Sequence, residues 1–279
     1  MTKIAILGKT GMLGSEVEKT FLESNFDIIT TTRKNLDAQF CTIENIIHII
    51  KNCEYIINCI GIIKPYIHDN NSFEVQRAIE VNGLFPHKLA EAARITGSKV
   101  IQIATDCVYD GVKGSYVETD IHNALDVYGK TKSLGEVNAE NVMNLRCSII
   151  GREQKSYLSL LEWFLNQPKG AKLKGFKNHL WNGVTTNTFA KICLGIVTNN
   201  GFFSGLQHVI PADILSKAQM LHCFRETFNR EDIEIEDITA DIAINRTLST
   251  LNKKQNMELW KNAGYKNIPT VEDMIKEIV

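Results

Sequence analysis

The sequence of 279 residues has only 5 prolines, few aromatic residues, no excess of either charge and no long apolar run. Its formal net charge is −1, which argues against a protein that binds nucleic acid through a basic surface. No apolar run approaches the roughly 20 residues that a membrane-spanning helix needs. Hydrophobic residues make up 44% of the chain, enough for a sizeable core, which excludes intrinsic disorder. We expect a globular protein that binds neither nucleic acid nor membrane.

The cysteines and histidines lack the spacing of disulfide frameworks and metal sites. The seven cysteines are odd in number and form no CxxC pair, so reduced thiols are expected. The seven histidines show no HxxxH pattern and no regular spacing with cysteine, so we predict no metal site. The apolar run Ile4–Leu7 is too short for the core of a signal peptide and leads into a glycine-rich turn. We expect a cytoplasmic protein.

Short β-rich segments alternate with helix-length patterns up to about residue 150. Parallel strands need crossover connections, which place helices on both faces of a sheet. The alternation therefore predicts an α/β protein with a doubly wound parallel sheet of the Rossmann type. Beyond Gly151 the alternation weakens and no Pro/Gly/Ser linker intervenes, so we expect a smaller C-terminal α/β lobe packed against the sheet. The helix-length patterns of the first half are Ile43–Lys51, Ser72–Thr96 and Asp126–Asn141.

The first strand is followed by a GxxGxxG motif that begins at Gly8. Its first gap is one residue longer than in the GxGxxG dinucleotide fingerprint, but the physical requirements are the same. Gly8 permits a tight turn, Gly11 lets the backbone approach a pyrophosphate, and Gly14 lets the helix lie close to the strand. The alternative is a turn that merely needs glycine, but the motif opens a βαβ pattern and predicts nucleotide binding. The predicted contacts are Gly8, Thr10, Gly11, Met12, Leu13 and Gly14.

The end of the second strand indicates which dinucleotide fits. A site for NAD usually places Asp or Glu there, to accept a hydrogen bond from the ribose 2′-hydroxyl. Here Arg33 and Lys34 follow the strand, and Arg33 can bind a 2′-phosphate through two parallel hydrogen bonds. Lys9 in the glycine motif is a second candidate for this phosphate, whereas Asp37 keeps NADH open. We predict NADPH, with an ordinary solvated loop pair as the alternative interpretation of Arg33 and Lys34.

Tyr128 and Lys132 are four residues apart at the start of a helical pattern and so share one helix face. A free tyrosine has a pKa of about 10, and lowering it to about 7 would take roughly 4 kcal/mol of differential stabilisation. A nearby ammonium group favours the phenolate, although most YxxxK pairs are surface pairs. Thr105 follows the strand Lys99–Ala104, at the end where open α/β sheets bind ligands. Thr105, Tyr128 and Lys132 together predict a catalytic site for carbonyl reduction. The alternative is that Thr105 only caps its strand.

Further motifs follow along nearly the whole chain. They are Asn58-Cys59-Ile60-Gly61, Val81-Asn82-Gly83, Ala104-Thr105-Asp106-Cys107-Val108-Tyr109-Asp110-Gly111, Tyr116–Asp120, Tyr128-Gly129-Lys130-Thr131-Lys132, Asn144-Leu145-Arg146 and Asn182–Thr186. Each is weak alone, but in this order they make the chain resemble the extended short-chain dehydrogenases/reductases. Within these, it resembles the dTDP-4-dehydrorhamnose reductase group of nucleotide-sugar 4-ketoreductases. The resemblance implies an NADPH-dependent 4-ketoreductase of a nucleotide-activated 4-keto-6-deoxy sugar, in deoxysugar or surface polysaccharide biosynthesis.

The resemblance also implies roles for individual residues. Tyr128 would protonate the C4 oxygen, and Lys132 would bind the nicotinamide ribose and tune Tyr128. Thr105 would orient the ketone, and Asn82 would hold the helix geometry or a water relay behind Lys132. Asn182 would contact the nucleotide sugar. Besides the glycine motif, the implied cofactor residues are Arg33, Cys59, Ile60, Gly61, Asn82, Tyr128 and Lys132, and the implied substrate residues are Thr105, Asp106, Cys107, Tyr128 and Asn182.

A domain division follows from the same resemblance. Residues 1–150 would form a dinucleotide-binding domain, and residues 151–279 mainly a substrate-binding lobe from which about residues 185–200 return to the first domain. The expected partner is a nucleotide sugar, and the protein is expected to be a monomer or a homodimer. The sequence leaves open whether the nucleotide is UDP or dTDP, and whether the sugar is a 2-acetamido-2,6-dideoxy-hexulose.

Two alternatives remain at this point. Cys107 stands two residues after Thr105, where reductases that also epimerise C3 and C5 carry a catalytic cysteine. A bifunctional 3,5-epimerase/4-reductase would need a basic partner, for which Lys155, Lys177 and His179 are candidates. The alternative for Cys107 is a packed strand-end thiol. The other functional class is a non-catalytic, nucleotide-binding regulatory subunit of the same fold, which would have no need for an intact catalytic set.

Overall fold

The computed structural model describes residues 2–153 and 157–278. Its strands are β1 (Lys3–Leu7), β2 (Asp27–Thr30), β3 (Tyr55–Asn58), β4 (Lys99–Ala104), β5 (Val142–Arg146), β6 (Ile149–Ile150), β7 (Lys172–Phe176), β8 (His179–Trp181), β9 (Val184–Thr185), β10 (Gly205–His208), β11 (Leu215–Ser216), β12 (Glu234–Ile238) and β13 (Ile244–Asn245). Its α-helices are α1 (Met12–Leu22), α2 (Ile43–Ile50), α3 (Ser72–Ala78), α4 (Phe85–Thr96), α5 (Val127–Leu134), α6 (Leu160–Leu165), α7 (Thr186–Thr198), α8 (Lys217–Thr227), α9 (Lys253–Asn262) and α10 (Val271–Lys276). A π-helical segment, Ile79–Leu84, joins α3 to α4.

Six strands form one parallel sheet in the order β10-β5-β4-β3-β1-β2. In the middle of β1, Ile6 is paired with Thr30 on one side and Ile57 on the other. The strand order reverses between β1 and β3, because β2 is added on one side of β1 and the later strands on the other. In open α/β sheets, ligands bind outside the carboxyl ends of the strands at such a reversal. The predicted α/β class and doubly wound Rossmann-type sheet are confirmed, and the crevice lies beyond Leu7 and Asn58.

The side chains of the central strand alternate between two cores. Ile4 and Ile6 pack on one face of the sheet, and Ala5 and Leu7 pack on the other. Helices α1 and α7 pack together over the first face, and α2 and α4 over the second. Because both faces are covered, all four side chains are fully buried. Burying one isoleucine side chain in this way stabilises the fold by about 1.5–3 kcal/mol.

The second half of the chain extends the main sheet and also builds smaller ones. β10 is the edge strand beside β5, and α7 packs against α1. β11, β8 and β13 form a three-stranded sheet, while β12 pairs with β7 and β6 with β9. Helix α8 lies against β7, β11 and β12. These elements form a smaller α/β lobe, and the domain boundary at residue 150 stays a prediction.

Three helices differ from their sequence patterns. Residues 72–96 are helical throughout, as their pattern predicts, but residues 79–84 in the middle form a π-helix. The pattern over 126–141 ends early, at Leu134, with Gly135 as the C-cap residue, where glycine is a poor helix former. Helix α9 was not predicted, because its segment is polar apart from a few residues such as the buried Trp260. Within residues 2–153 and 157–278, no helix is long and apolar enough to cross a membrane.

Candidate active site

The glycine motif forms a tight turn between β1 and α1. Gly8 has a φ of +83°, a left-handed conformation that favours glycine. The Gly11 amide donates to the Gly8 carbonyl oxygen at 3.1 Å and closes the turn. A Cβ on Gly14 would lie 2.1 Å from the same oxygen, so α1 approaches β1 this closely only with glycine at residue 14. A Cβ on Gly11 would find its nearest neighbour at 3.5 Å, which is ordinary contact.

The first turn of α1 is open to an anion. Gly11 is the N-cap residue, no side chain caps the helix, and its first turn holds no acidic residue. The amides of Met12 and Leu13 have no acceptor within the helix, because first-turn amides never do. Together with the positive end of the helix dipole, they can donate to a pyrophosphate. Thr10 is exposed beside them. The residues present therefore fit a dinucleotide cofactor.

Thr31, which the sequence did not single out, fixes the shape of this turn. Its buried hydroxyl accepts a hydrogen bond from the Gly8 amide at 3.1 Å, and its carbonyl oxygen accepts one from the Lys9 amide at 3.0 Å. The Lys9 ammonium group donates to Glu18 of α1 at 2.9 Å, so it is paired with that helix. In the sequence, this role of Thr31 was indicated only by its position directly after the second strand, which pairs with the strand that leads into the glycine motif.

The segment after β2 carries the side chains that were predicted to select the dinucleotide. Arg33 and Lys34 are exposed in a turn that is closed by the Asn35 side chain, which accepts from the Thr32 amide at 2.6 Å. One carboxylate oxygen of Asp37 accepts from an amide of its own loop at 3.0 Å. The guanidinium group of Arg33 is thus accessible near the carboxyl end of β2.

Residues 59–61 line the crevice opposite the glycine turn. Ile60 Cγ1 lies 2.8 Å from the position of a Cβ on Gly8. The Ile60 amide donates to the Asn58 side chain at 3.1 Å, which fixes the chain as it leaves β3. Burial raises the pKa of the Cys59 thiol to about 12, so this side chain is neutral at physiological pH. The segment forms an uncharged wall beside the turn.

Asn82 joins this wall to helix α5. Its buried side chain accepts from the Ile62 amide at 2.8 Å and donates to the Ile62 carbonyl oxygen at 2.9 Å. Its nitrogen also lies 3.5 Å from the hydroxyl of Thr131, the neighbour of Lys132. A Cβ on Gly61 would lie 3.5 Å from Asn82 Oδ1. The π-helical segment brings this polar side chain between the loop after β3 and α5, as π segments do at many functional sites.

The structure brings the hydroxyl groups of Thr105 and Tyr128 together. Thr105 stands directly after β4, where its hydroxyl donates to Asp106 at 3.2 Å and accepts from the Cys107 amide at 3.2 Å. Burial raises the pKa of Tyr128, and Cys107 adds to this increase, while a hydrogen bond with Thr105 opposes it. The phenol is therefore protonated at neutral pH, which is the state that a proton donor requires.

Lys132 is buried one helical turn after Tyr128. Its ammonium group donates to the carbonyl oxygen of Ile103 at 3.1 Å and so ties α5 to β4. Burial lowers the pKa of Lys132, and the Glu136 carboxylate opposes this decrease. The sequence predicted that Lys132 lowers the pKa of Tyr128, whereas the Tyr128 pKa is raised, because burial of the phenol is the largest effect and the charges of Asp106 and Asp126 act in the same direction.

Asp106 and Cys107 lie in the short 3₁₀ turn that follows Thr105. Burial raises the pKa of Asp106, and the positive charges of Arg246 and Lys217 oppose this increase. Burial also raises the pKa of Cys107 to about 12, and the nearby Asp106 adds to it. The thiol is therefore neutral near pH 7. Arg246 and Lys217 reach this turn from the C-terminal half, and the sequence singled out neither.

Asn182 is buried in the C-terminal lobe. Its side-chain nitrogen donates to the Leu248 carbonyl oxygen at 2.7 Å, and its oxygen accepts from the Leu248 amide at 2.9 Å. Asn182 therefore holds the segment around Leu248 in place. Its direct contact with a substrate stays a prediction.

Neither of the two predicted basic partners of Cys107 that the structure describes is brought to it. Lys177 is exposed, and His179 lies 3.1 Å from a backbone carbonyl oxygen of the C-terminal half. Lys155 lies outside the described residues. The basic residues whose charges lower the pKa of Cys107 are Arg246 and Lys64 instead. In the part of the chain that the structure describes, no cluster of three His, Cys, Asp or Glu side chains could hold a metal ion.

The model of one protein family, described as the RmlD substrate binding domain, matches residues 1–273. The chain belongs to this family. A dTDP-4-dehydrorhamnose reductase of Aggregatibacter actinomycetemcomitans is 31% identical over 147 residues, which are 49% of this RmlD-family chain and 46% of that relative. Methionine adenosyltransferase 2 subunit beta of Bos taurus is 30% identical over 141 residues, which are 48% and 41% of the two chains. The matched part thus spans about half the length of these relatives.

Solved structures share the RmlD-family fold over the whole chain. A dTDP-4-dehydrorhamnose reductase from Clostridium acetobutylicum superposes with a TM-score of 0.80 and 23% identity, covering 99% of this chain and 98% of the other. The dTDP-4-dehydrorhamnose reductase of Bacillus anthracis, solved in complex with NADP, has a TM-score of 0.80 and 17% identity, covering 100% and 99%. At these identities the likeness establishes the fold.

Proposed function

We propose that this protein is an oxidoreductase, an NADPH-dependent 4-ketoreductase that acts on a nucleotide-activated 4-keto-6-deoxy sugar. One observation carries the proposal: the hydrogen bond from Lys132 to the Ile103 carbonyl oxygen ties α5, which carries Tyr128, to the end of β4 that is followed by Thr105. The crevice that Thr105 and Tyr128 line also holds a glycine turn with open backbone donors. Membership of the RmlD family supports the same activity.

The chemistry asked of each residue follows from its position. When bound, a reduced nicotinamide dinucleotide supplies a hydride to a ketone carbon. When substrate binds, Thr105 would turn the hydroxyl hydrogen that it donates to Asp106 towards the ketone oxygen and stabilise the negative charge that develops there. Tyr128 gives its phenolic proton to that oxygen, and burial retains this proton until then. The positive charge of Lys132 favours the phenolate that remains.

NADPH is the proposed cofactor because Arg33 presents an exposed guanidinium group directly beyond β2. The Bacillus anthracis relative was solved in complex with NADP, which supports a nicotinamide dinucleotide in this crevice. NADH is the alternative, since Asp37 lies in the same loop. Residues 8–14 would bind the pyrophosphate, and residues 59–61 would line the nicotinamide side.

The proposed substrate is linked to dTDP or to UDP, with or without a 2-acetamido group on the sugar, in deoxysugar or surface polysaccharide biosynthesis. A dTDP-4-dehydrorhamnose reductase is among the relatives, which supports this substrate class. Residues 151–279 are proposed to form mainly the substrate lobe, and the packing of α7 against α1 supports the return of about residues 185–200 to the first domain.

The principal experiment measures NADPH consumption with a panel of dTDP- and UDP-linked 4-keto sugars, for the wild-type protein and for Tyr128→Phe. The wild-type protein should consume NADPH with at least one sugar. Because phenylalanine has no proton to give, Tyr128→Phe should lower kcat by about 100-fold or more. An unchanged unfolding midpoint would show that Tyr128→Phe is folded. Equal rates for the two proteins would contradict the proposed role of Tyr128.

The second candidate function is a non-catalytic regulatory subunit. It is favoured by the relative named methionine adenosyltransferase 2 subunit beta, which is 30% identical over 141 residues. The two functions give opposite results in the same assay. A wild-type protein that binds NADPH but consumes none with any sugar would favour the subunit.

A bifunctional 3,5-epimerase/4-reductase would use Cys107 as a proton donor, and its raised pKa suits a thiol that keeps its proton. Reactions in heavy water separate this version from a simple reductase. Deuterium at C3 or C5 of the product, absent with Cys107→Ser, would support the epimerase. A product with deuterium at neither C3 nor C5 would exclude the epimerase.

A further inference from the structure

Three adjacent strands of the main sheet carry amide side chains directly opposite one another. Asn58 of β3 is paired with Gln102 of β4, and Gln102 is paired with Asn144 of β5. Residues paired in this way point to the same face of the sheet, here the face on which Leu7, the partner of Asn58 in β1, packs. All three amides are buried, with at most 3% of each residue exposed. A buried amide costs stability unless its hydrogen bonds are made, so the partners of each one indicate its role.

The Gln102 side chain makes hydrogen bonds in two directions. Its oxygen accepts from the side-chain nitrogen of Asn58 at 2.7 Å, and the Asn58 oxygen accepts in turn from the Ile60 backbone amide at 3.1 Å. The Gln102 nitrogen donates to the Ile103 carbonyl oxygen at 3.3 Å. The same carbonyl oxygen accepts from the Lys132 ammonium group at 3.1 Å. An unbroken chain of hydrogen bonds therefore joins the Ile60 amide to Lys132 through Gln102.

Asn144 is buried to the same extent but makes different contacts. Its side-chain nitrogen donates to the carbonyl oxygen of Val137, which lies after α5, at 2.9 Å. Its buried side-chain oxygen has no hydrogen-bond partner within residues 2–153 and 157–278. Asn144 is therefore a buried amide on the same face of the sheet whose hydrogen bond goes neither to residues 59–61 nor to Lys132, and it serves below as a comparison for Gln102.

We propose that Gln102 is a positioning residue, which holds the wall formed by residues 59–61 and the Lys132 ammonium group in a fixed position relative to each other. This inference rests on the proposed function, in which that wall lines the nicotinamide side and Lys132 favours the phenolate of Tyr128. The wall follows β3 and Lys132 lies on α5, so the two belong to separate elements. Gln102 is connected to each of them through one intermediate group. Because a displacement of about 1 Å can cost about 100-fold in rate, this link should affect hydride and proton transfer.

The first measurement is the affinity for NADPH, by fluorescence titration, because it needs no turnover. Gln102→Met keeps the length of the side chain but removes its amide group. We expect NADPH to bind about five- to ten-fold more weakly, since the wall beside the nicotinamide is no longer fixed. Asn144→Leu, which removes the comparison amide, should leave this affinity within about two-fold of the wild type. A folded Gln102→Met with the wild-type affinity would overturn the proposal, and so would an equal loss in both variants.

A double variant separates positioning from stability. Gln102→Met alone leaves the Asn58 amide group buried without its partner, which should lower the midpoint of urea unfolding. Asn58→Leu/Gln102→Met removes both amide groups, and part of that stability should return, because no member of the pair is left unsatisfied. The Ile60 amide still lacks its acceptor, so the affinity for NADPH should stay low. If the affinity returned with the stability, Gln102 would have a structural role only, and the proposal would be wrong. Should Gln102→Met not fold, wild-type affinity in the double variant would likewise overturn the proposal.

The proposed function fails in a different way. A wild-type protein that binds NADPH but never consumes it with a 4-keto sugar is not a reductase, and the difference in NADPH affinity between Gln102→Met and Asn144→Leu is unaffected. If the reductase is active, Gln102→Met should lower kcat by about ten-fold, because the carbonyl group that holds Lys132 loses one of its two donors. The KM for the keto sugar should change by less than about three-fold. An effect confined to that KM would contradict the positioning role.

Discussion

The Lys132 ammonium group donates a hydrogen bond to the Ile103 carbonyl oxygen at 3.1 Å. Ile103 lies two residues before Thr105 in the chain, so this bond fixes helix α5, which carries Tyr128, relative to the strand end that carries Thr105. Lys132, one helical turn after Tyr128, is therefore a link between the two elements that carry the hydroxyl groups.

Lys132→Met should abolish this link and remove the charge. We expect kcat to fall by about 100-fold or more, because the phenolate loses its cation and the hydroxyl groups lose their alignment. Lys130→Met is the matched control, since Lys130 is exposed two residues earlier on the same helix, and it should stay within about two-fold of the wild type. Stopped-flow absorbance of NADPH measures both, and similar rates for the two variants would refute the assignment.

Gly11 and Gly14 should respond differently to the same added methyl group. Gly14→Ala places a Cβ 2.1 Å from a backbone oxygen, so it should lower the free energy of unfolding by about 3 kcal/mol. Gly11→Ala has ordinary space and an extended backbone at φ −85°, so the fold should be retained. The methyl group would, however, lie where the pyrophosphate approaches the backbone, and the affinity for NADPH should fall by about ten-fold. Urea unfolding and fluorescence titration separate the two effects, and normal NADPH affinity in Gly11→Ala would contradict the site.

Arg33 should decide the preference between the two dinucleotides. A charge-assisted hydrogen bond contributes about 1.5–3 kcal/mol, so Arg33→Ser should lower kcat/KM for NADPH by about 10- to 100-fold. NADH lacks the 2′-phosphate and should be affected by less than about two-fold. Lys51→Ser, an exposed cation after α2, controls for the loss of one charge. If both dinucleotides lose equally, Arg33 does not bind the phosphate.

Features set by local sequence were predictable. The glycine motif identified the turn after β1, since its spacing reflects the left-handed Gly8 and the close contact at Gly14. The alternation of apolar segments identified the parallel sheet, because strands buried on both faces are continuously apolar. The positions of Tyr128 and Thr105 were also predictable, because Tyr128 lies in the first turn of its helix and Thr105 directly follows its strand.

Features that depend on distant contacts were not predictable. Lys217 is separated from Asp106 by more than a hundred residues, and only folding lets its charge act on that carboxylate. The structural use of Asn182 depends on Leu248, which lies in a segment without a clear pattern. Thr31 likewise acts on the glycine turn through a hydrogen bond to Gly8 across two strands. Such residues carry no periodicity or spacing of their own.

Arg146 lies fully buried at the centre of a polar network beneath the site. It donates to His208 Nε2 at 2.8 Å and to His122 Nε2 at 2.6 Å, and it is paired with Glu136. His208 Nδ1 in turn donates to the Ser249 carbonyl oxygen at 2.7 Å. Both imidazoles must be neutral to accept from the guanidinium group. Protonation of either would place two buried cations side by side.

This arrangement predicts a specific loss of stability in acid. Burial lowers the pKa of His208 to about 4, and the charge of Arg146 contributes to the decrease. The pKa in the unfolded chain is about 6.5, so between these values the unfolded state binds more protons than the folded state. The free energy of unfolding should therefore fall as the pH drops from about 6.5 to about 4, by about 3 kcal/mol from His208 alone.

His208→Gln should flatten that dependence, because glutamine offers an oxygen to Arg146 and does not titrate. The measurement is urea unfolding at intervals from pH 7 to pH 4.5, for the wild-type protein, His208→Gln and the control His48→Gln, which replaces an exposed histidine. The slope against pH should become smaller in His208→Gln and stay unchanged in His48→Gln. If His208→Gln keeps the full wild-type slope, acid sensitivity arises elsewhere, and the buried network is not what limits stability at low pH.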